Sequence, residues 1–475
     1  MKLLDLVEKI DYKTYTEQND TDFNYVTYDS RKAKKNGIFV AIKGKEMDGH
    51  SFIPSAIEKG AGCIVHTEDI KYEDNISYIK VSDARFALGQ ISNALRDYPS
   101  RKLRLVGVTG TNGKTTTATF IYRLLKSLDG SASNIGTDGT FINDEKIDTP
   151  NTTPEISEIN DILEESLNRG IKNAVIEASS HGLFLHRLDG LDFDYGVFTN
   201  LSMEHMDFHK DMESYFKAKM ILLENSANKV INIDDPYGKK AKDIYKNAIT
   251  FSIDEDSDFR AYDIKNIDNH LEFYVKDQKF ILKRYAIFDI YNALAAISIL
   301  ASEGYELKAI AEAMEDLGGV DSRFEFIEND LGINIVIDFA HTPVAFEKTY
   351  DAIEKGKNII AVYGMNGDRT AEIRRKVGEI SAKHKVFSVV TSDDPKFDTY
   401  ENIAEDIVEG IRAFDGDYIK IKDRKEAIKY GISKAKKGDF VLLLGKGEEN
   451  FMKLKGNEKT PYSEKETVRQ VLAEI

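Results

Sequence analysis

The run Gly110-Thr111-Asn112-Gly113-Lys114-Thr115-Thr116 has the residue types of a phosphate cradle. Backbone N–H groups around Gly110 and Gly113 can wrap phosphate oxygens. The Lys114 ammonium can reach the outer phosphates, and the Thr115 hydroxyl can ligate Mg²⁺ beside a helix N-terminus. The ligand this implies is a nucleoside triphosphate. The run departs from the strict phosphate-loop spacing, because Val108 stands where the first glycine is required.

Two further stretches offer metal-ligand and acid–base chemistry. Glu177 closes an apolar run and precedes Ala178-Ser179-Ser180-His181, and the apolar run ending at Thr199-Asn200 leads into a loop with Glu204-His205-Met206-Asp207. A carboxylate buried at a strand end needs a partner, and Mg²⁺ held on ATP phosphates supplies one. Glu177 and His205 are therefore expected to meet Thr115. The pair His205 and His209 lacks the Glu that a zinc-protease motif places after its first His. The helix predicted over 212–223 carries Lys217 and Lys219, which taken alone read as a solvated face. Asn292 opens an apolar helix and can reach a base edge. In the last third, Arg369, Lys396 and Glu449 follow three separate β-like runs, an edge suited to a zwitterionic ligand or a plain polar rim.

The elements that must position these groups can be read from periodicity. Residues 103–108 form an apolar, β-favouring run, and Phe120, Ile121, Leu124, Leu125 and Leu128 recur at helical spacing behind the glycine turn. This is strand, loop, helix. The first hundred residues alternate short strands (37–41, 63–65) with a helix (55–61). Their polar loops, Asp29-Ser30-Arg31, Lys43-Gly44 and Asp48-Gly49-His50, are weak signals that surface turns would match equally well. After a boundary at 318–325, β-like runs at 334–338, 358–363, 386–391 and 440–444 each end in a polar turn, and helical segments separate most of them. The fold class expected is α/β with three domains: a small N-terminal α/β domain (1–100), a central phosphate-loop sheet (101–322) and a C-terminal Rossmann-like domain (323–475).

Composition narrows the class. A chain of 475 residues with 41% hydrophobic and 31% charged residues can bury a large core, and no apolar run reaches membrane-spanning length. The single cysteine, Cys63, rules out a disulfide framework within the chain. A net charge of −16 argues against broad nucleic-acid binding while leaving room for local cationic pockets. The N-terminus has no signal-peptide core, so a cytoplasmic location is expected.

With Gly110 to Thr115, Glu177 to His181, Thr199-Asn200, His205-Met206-Asp207, Asp338-Phe339-Ala340-His341-Thr342-Pro343 and Gly364 to Arg369 in this order, the chain resembles the Mur ligase family over essentially its full length. The resemblance implies an ATP- and Mg²⁺-dependent ligase that forms an amide bond through an acyl phosphate, in the cytoplasm and as a monomer. Its implied substrates are UDP-N-acetylmuramoyl-L-alanyl-D-glutamate and a diamino acid.

It also assigns residues. Gly110, Thr111, Asn112, Gly113, Lys114, Thr115, Thr116, Asn292, Arg323 and Asp338 match ATP positions, and His341 lies among them. Ser30, Arg31 and His50 match the uridine-nucleotide region; Asn151, Thr152, Thr153, Ser179 and Arg187 match the muramoyl-dipeptide region. Arg369, Asp393, Asp394, Lys396, Gly445 and Glu449 match the amino-acid region. Thr115, Glu177, His205 and Lys219 match metal ligands, with Lys219 carbamylated by CO₂ to an anionic oxygen donor (N6-carboxylysine).

The chain departs from the family pattern at Leu185, Asp289, Ser322, Phe339 and Glu448. Lys396 stands where diaminopimelate users carry Arg, keeping the charge without the bidentate fork. Asp394, in place of Asn, adds a negative charge that suits a second ammonium. The reading is meso-diaminopimelate or a close analogue such as lanthionine, with L-lysine second. A folylpolyglutamate or cyanophycin-type ligase is the alternative, and it would not need the Asp29–Arg31 and Asp48–His50 loops.

Overall fold

Each of the larger sheets is built from strands whose interiors read as continuous apolar runs, as expected where helices cover both faces. In a computed structural model the described residues are 1–475 without 19, 45–46, 150, 205–207, 268 and 320–322. Contacts divide the chain into two compact units, Met1–Arg260 with Ala293–Ala313, and Ala261–Asn292 with Met314–Ile475.

The first unit contains two sheets. In the smaller, Tyr25–Thr27, Gly37–Val40, Ala61–His66 and Ser77–Lys80 run parallel in that spatial order, and Thr14–Thr16 closes the edge antiparallel. In the larger, nine-stranded sheet, Arg104–Thr109 lies between Asn173–Glu177 and Phe193–Phe198, parallel to both. The chain leaves Arg104–Thr109, pairs Ser133–Gly136 one strand further out, and returns to insert Asn173–Glu177 between them. This reversal of strand order puts the carboxyl ends of the central strands around a crevice. Ser226–Asn232, Ile249–Ser252 and Phe259–Arg260 extend one side, and the antiparallel strands Gly139–Ile142 and Glu145–Ile147 extend the other. The core under the central strands includes Leu105, Ala174, Ile176, Phe193 and Leu222, all essentially inaccessible.

The second unit holds a six-stranded sheet in the order Glu325–Ile327, Asn334–Asp338, Phe440–Leu444, Ile359–Tyr363, Phe387–Val390, Tyr418–Lys420, parallel except for the first. Phe440–Leu444, the last strand of this sheet in sequence, is inserted second from the start of the parallel set, so the loops after 338, 363, 390 and 444 share one edge. The four β-like runs of the sequence are all present: 334–338 and 440–444 have the expected ends, and the other two are Ile359–Tyr363 and Phe387–Val390, shorter by a residue at one or both ends.

The meander Tyr262–Ile267, His270–Val275, Gln278–Leu282 has no counterpart in the sequence reading. Its middle strand alternates half-buried and buried positions, and Phe273 stacks on Phe280 at 5.6 Å. The hairpin turn is Lys276-Asp277, both at positive φ, a conformation that the usual Asn-Gly signal would have advertised and this pair does not.

Candidate active site

The strand Arg104–Thr109 delivers the chain into Gly110, whose φ of +151° and crowding make glycine obligatory. A Cβ there would come within 1.9 Å of Thr199 Oγ1. The loop then folds on itself. Lys114 Nζ donates to the carbonyls of Gly110 (3.0 Å) and Thr111 (2.8 Å), and the helix Lys114–Asp129 begins at once. Thr199 and Asn200, at the end of the neighbouring strand, clamp the loop. Thr199 Oγ1 donates to the Asn112 carbonyl at 2.7 Å, and Asn200 both donates to that carbonyl (2.9 Å) and accepts from the Asn112 N–H (3.0 Å). Asn112 Nδ2 is shielded from solvent and has no hydrogen-bond partner among the described residues. Thr116 is buried in the first helical turn.

Glu177 ends the strand on the other side and is fully buried. Its carboxylate accepts from Thr115 Oγ1 (2.9 Å), the Thr137 N–H (2.8 Å) and Thr137 Oγ1 (3.1 Å). Burial nevertheless pushes the group above the usual carboxylate range, against those donors and the Lys114 charge. A Cβ on Gly136 would come within 2.2 Å of Glu177 Oε1, so the strand end beside it must be glycine. A buried hydroxyl and a buried carboxylate converging in the crevice are the oxygen donors that a hard divalent cation takes, and the unsatisfied Asn112 amide is a donor for an anionic oxygen. The residues present therefore fit Mg²⁺ and a phosphate chain.

The two lysines of the helix Met212–Glu224 part company. Lys217 is exposed, while Lys219 is 1% exposed and donates to the Gly110 carbonyl at 2.7 Å, with the Tyr215 ring 4.6 Å from its Nζ. The solvated-face reading thus fails for Lys219. Burial first, and the Lys114 charge second, hold it well below the ordinary ammonium range, opposed by Glu204. His205, the other expected ligand, lies outside the described residues, as does Ser322.

The expected substrate positions of the first unit form a connected polar network. Thr153 Oγ1 donates to the Glu177 carbonyl (2.7 Å) and lies 2.9 Å from Ser179 Oγ, which in turn caps the short helix Ser180–Phe184. Arg187 donates to the Thr153 carbonyl at 2.9 Å and pairs with Glu155 at 3.0 Å. Thr152 reaches Thr137 at 3.1 Å, and Asn151 is exposed. Ser30 is buried at the start of a 3₁₀ turn, and Arg31 is exposed and forked onto Asp29. The ring of His50 is fixed from both sides. Nε2 accepts from the Thr67 N–H at 3.2 Å, leaving Nδ1–H to donate to Asp48 at 2.7 Å.

In the second unit Asn292 donates to Asp289 at 3.1 Å, and Asp289, which departs from the family pattern, is buried against Arg284 at 2.8 Å. Asp338 accepts from the Phe324 and Ala340 N–H groups, both at 2.8 Å, and the Arg323 guanidinium stacks on Phe339 at 4.9 Å. His341 Nδ1 lies 2.8 Å from the Phe339 carbonyl.

At the shared loop edge, Lys396 is ion-paired with Asp368. The Arg369 side chain has no hydrogen-bond or ion-pair partner among the described residues. Gly445 takes φ +107° with Asp393 Oδ2 close to where a Cβ would stand. Asp394 and Glu449 both bond Lys446. Neither Thr137 nor Lys446 is among the residues that the sequence motifs mark. Lys446 had a signal in the Gly-Lys-Gly after an apolar strand; Thr137 had none, because only the fold brings it to Glu177.

Family models match three successive stretches: the Mur ligase family catalytic domain at 22–96, the Mur ligase middle domain at 108–300, and the Mur ligase glutamate ligase domain at 322–447. The chain is 37% identical to UDP-N-acetylmuramoyl-L-alanyl-D-glutamate–2,6-diaminopimelate ligase 1 of Clostridium acetobutylicum, with 100% of both chains covered.

The chain belongs to the Mur ligase family. Members of this family are ATP-dependent amide-bond-forming ligases, and this chain is one of them. It is also 37% identical to the corresponding ligase of Clostridium tetani, again over 100% of both chains. Among solved structures, a UDP-N-acetylmuramoyl-L-alanyl-D-glutamate–2,6-diaminopimelate ligase superposes with a TM-score of 0.71 at 26% identity, covering 100% of this chain and 99% of the other. A MurF ligase of Thermotoga maritima in complex with ADP shares the fold, with a TM-score of 0.66 at 23% identity, covering 95% and 97%. Among the described residues no helix is long and apolar enough to cross a membrane.

Proposed function

We propose that this Mur ligase joins meso-diaminopimelate, or a close analogue such as lanthionine, to UDP-N-acetylmuramoyl-L-alanyl-D-glutamate in peptidoglycan synthesis, acting as a cytoplasmic monomer. Three domains with the bounds 1–100, 101–322 and 323–475 would serve the UDP-sugar, ATP and the amino acid. The observation that supports the reaction most directly is Glu177, a buried carboxylate bonded to the Thr115 hydroxyl at the mouth of a phosphate loop. The choice of substrates is supported by full-length similarity to the clostridial diaminopimelate ligases.

In this reading the loop N–H groups and Lys114 hold the ATP phosphates, and Asn292, Arg323 and Asp338 serve the nucleotide. Ser30, Arg31 and His50 serve the uridine nucleotide, while Asn151, Thr152, Thr153, Ser179 and Arg187 hold the muramoyl-dipeptide. The dipeptide carboxylate takes the γ-phosphoryl group and ADP departs. The amine of the diamino acid then attacks the acyl carbon and phosphate leaves. Lys114 offsets charge on the transferring group. Thr115, Glu177, His205 and carbamylated Lys219 would hold Mg²⁺, which supplies charge neutralisation on the phosphates.

Lys219 supports carbamylation physically. Burial holds the Lys219 amine below the ordinary ammonium range, which favours loss of its proton; the free amine can then attack the carbon of CO₂, form an N–C bond and release one proton, which replaces a cation that would repel the metal with an anionic oxygen donor. With ¹³C-bicarbonate and Mg²⁺ the unaltered protein should give a carbamate resonance that Lys219→Ala lacks; no such resonance would remove Lys219 from the metal set.

For the amino acid, the ion pair between Lys396 and Asp368 favours L-lysine as the second reading, because it neutralises the cation that a distal carboxylate needs. The unengaged Arg369 favours diaminopimelate. Phosphate release is measured with UDP-muramoyl-dipeptide and a panel of meso-diaminopimelate, lanthionine and L-lysine. Release dependent on diaminopimelate is expected, a strong preference for lysine would replace the reading, and no amino-acid-dependent release would end it.

A further inference from the structure

Lys446 follows the strand Phe440–Leu444 and is 0% exposed, yet its ammonium meets three carboxylates. Nζ lies 2.9 Å from Asp394 Oδ1, 2.6 Å from Glu449 Oε2 and 3.7 Å from Asp393 Oδ1. Asp394 Oδ1 also accepts the Lys453 N–H at 2.9 Å, and Asp394 is 3% exposed. Its charge is therefore spent inside the protein, which removes the sequence-based argument that Asp394 answers a second ammonium of the ligand. Glu449 is different. Its side chain is 34% exposed, one oxygen is bound by Lys446, and the other has no partner among the described residues. Asp393 also faces the Arg424 guanidinium, so the carboxylate left with an unmatched oxygen at this edge is that of Glu449, and an ammonium group is its natural complement.

We propose that Lys446 is a positioning residue of the amino-acid site: it neutralises Asp394 and fixes the Glu449 carboxylate, so that Glu449 takes an ammonium of the incoming amino acid. This rests on the ligase reading above. A purely structural Lys446 would do no more than balance Asp394 and tie two loops together. The two roles separate because neutralising both partners repairs charge balance but leaves Glu449 unheld.

The test compares the unaltered full chain with Lys446→Met and with the double variant Lys446→Met/Asp394→Asn, by melting temperature and by phosphate release with varied diaminopimelate, ATP and UDP-muramoyl-dipeptide. In both variants KM for diaminopimelate should rise about tenfold or more, while kcat and the other two KM values stay within about threefold. The double variant should regain melting temperature lost in the single one without regaining KM. Should Lys446→Met fail to fold, the double variant alone carries the reading. A folded double variant with the unaltered KM for diaminopimelate overturns the proposal, and so does a parallel shift of all three KM values. If the unaltered chain releases no phosphate with diaminopimelate, lanthionine or L-lysine, the ligase reading itself falls.

Discussion

Asp393 shows how a single side chain can work against the fold that contains it. Its carboxyl is held above the ordinary value of 3.8, chiefly by burial and further by Asp394 and Glu449, while Arg424 and Lys446 pull it down. The folded chain thus binds this proton more tightly than the unfolded chain does. The stabilisation is complete below the unfolded value and is lost as pH rises through the higher folded value. Denaturant titrations should show this loss in the unaltered protein as pH climbs from about 4, and a flatter profile in Asp393→Asn; identical slopes would mean that Asp393 is ionised in the fold without cost.

At the scale of elements, the C-terminal helix Glu464–Glu474 is held by charge as much as by its apolar face. Glu464 is 1% exposed and forks onto Arg424 Nε (2.9 Å) and NH2 (2.6 Å), and Arg424 also donates to the Leu444 carbonyl at the end of a central strand. Arg424→Met leaves a carboxylate buried and unpaired, with an expected loss of about 3–5 kcal/mol. Arg424→Met/Glu464→Gln should recover most of it in chemical denaturation, since the cost lies in the unpaired charge rather than in the missing contact. Elements of this kind were only partly legible. The strand ends at 338, 363, 390 and 444 stand out because each apolar run stops at a polar turn. The pairing of Arg424 with Glu464, forty residues apart, leaves no local trace.

Over the whole molecule, a net charge of −16 coexists with cations at the functional edges, so anionic substrates are met by local geometry and not by a general field. The proposed UDP-sugar and dipeptide residues Ser30, Arg31, His50, Thr153, Ser179 and Arg187 all fall in the first compact unit, and Arg369, Asp393, Asp394, Lys396 and Glu449 in the second. Calorimetry should accordingly depart from two-state unfolding. UDP-muramoyl-dipeptide at about 100 times its Kd should stabilise the transition of the first unit by about 2.7 kcal/mol, and the diamino acid should act on that of the second. A single transition shifted equally by both ligands would contradict this division of labour.

The sequence by itself determined the phosphate loop, the α/β class and the order of the family's motifs, because glycine turns, Lys-Thr placement and apolar periodicity are local properties of the chain. Only the tertiary structure decided that Lys219 is buried while Lys217, two residues away, is exposed. It alone brought Thr137 to Glu177 and closed Lys446 over Asp394 and Glu449. The physical reason is common to all three. Burial and charge pairing depend on which distant segments a side chain meets, and a one-dimensional pattern of residue types does not contain that distance.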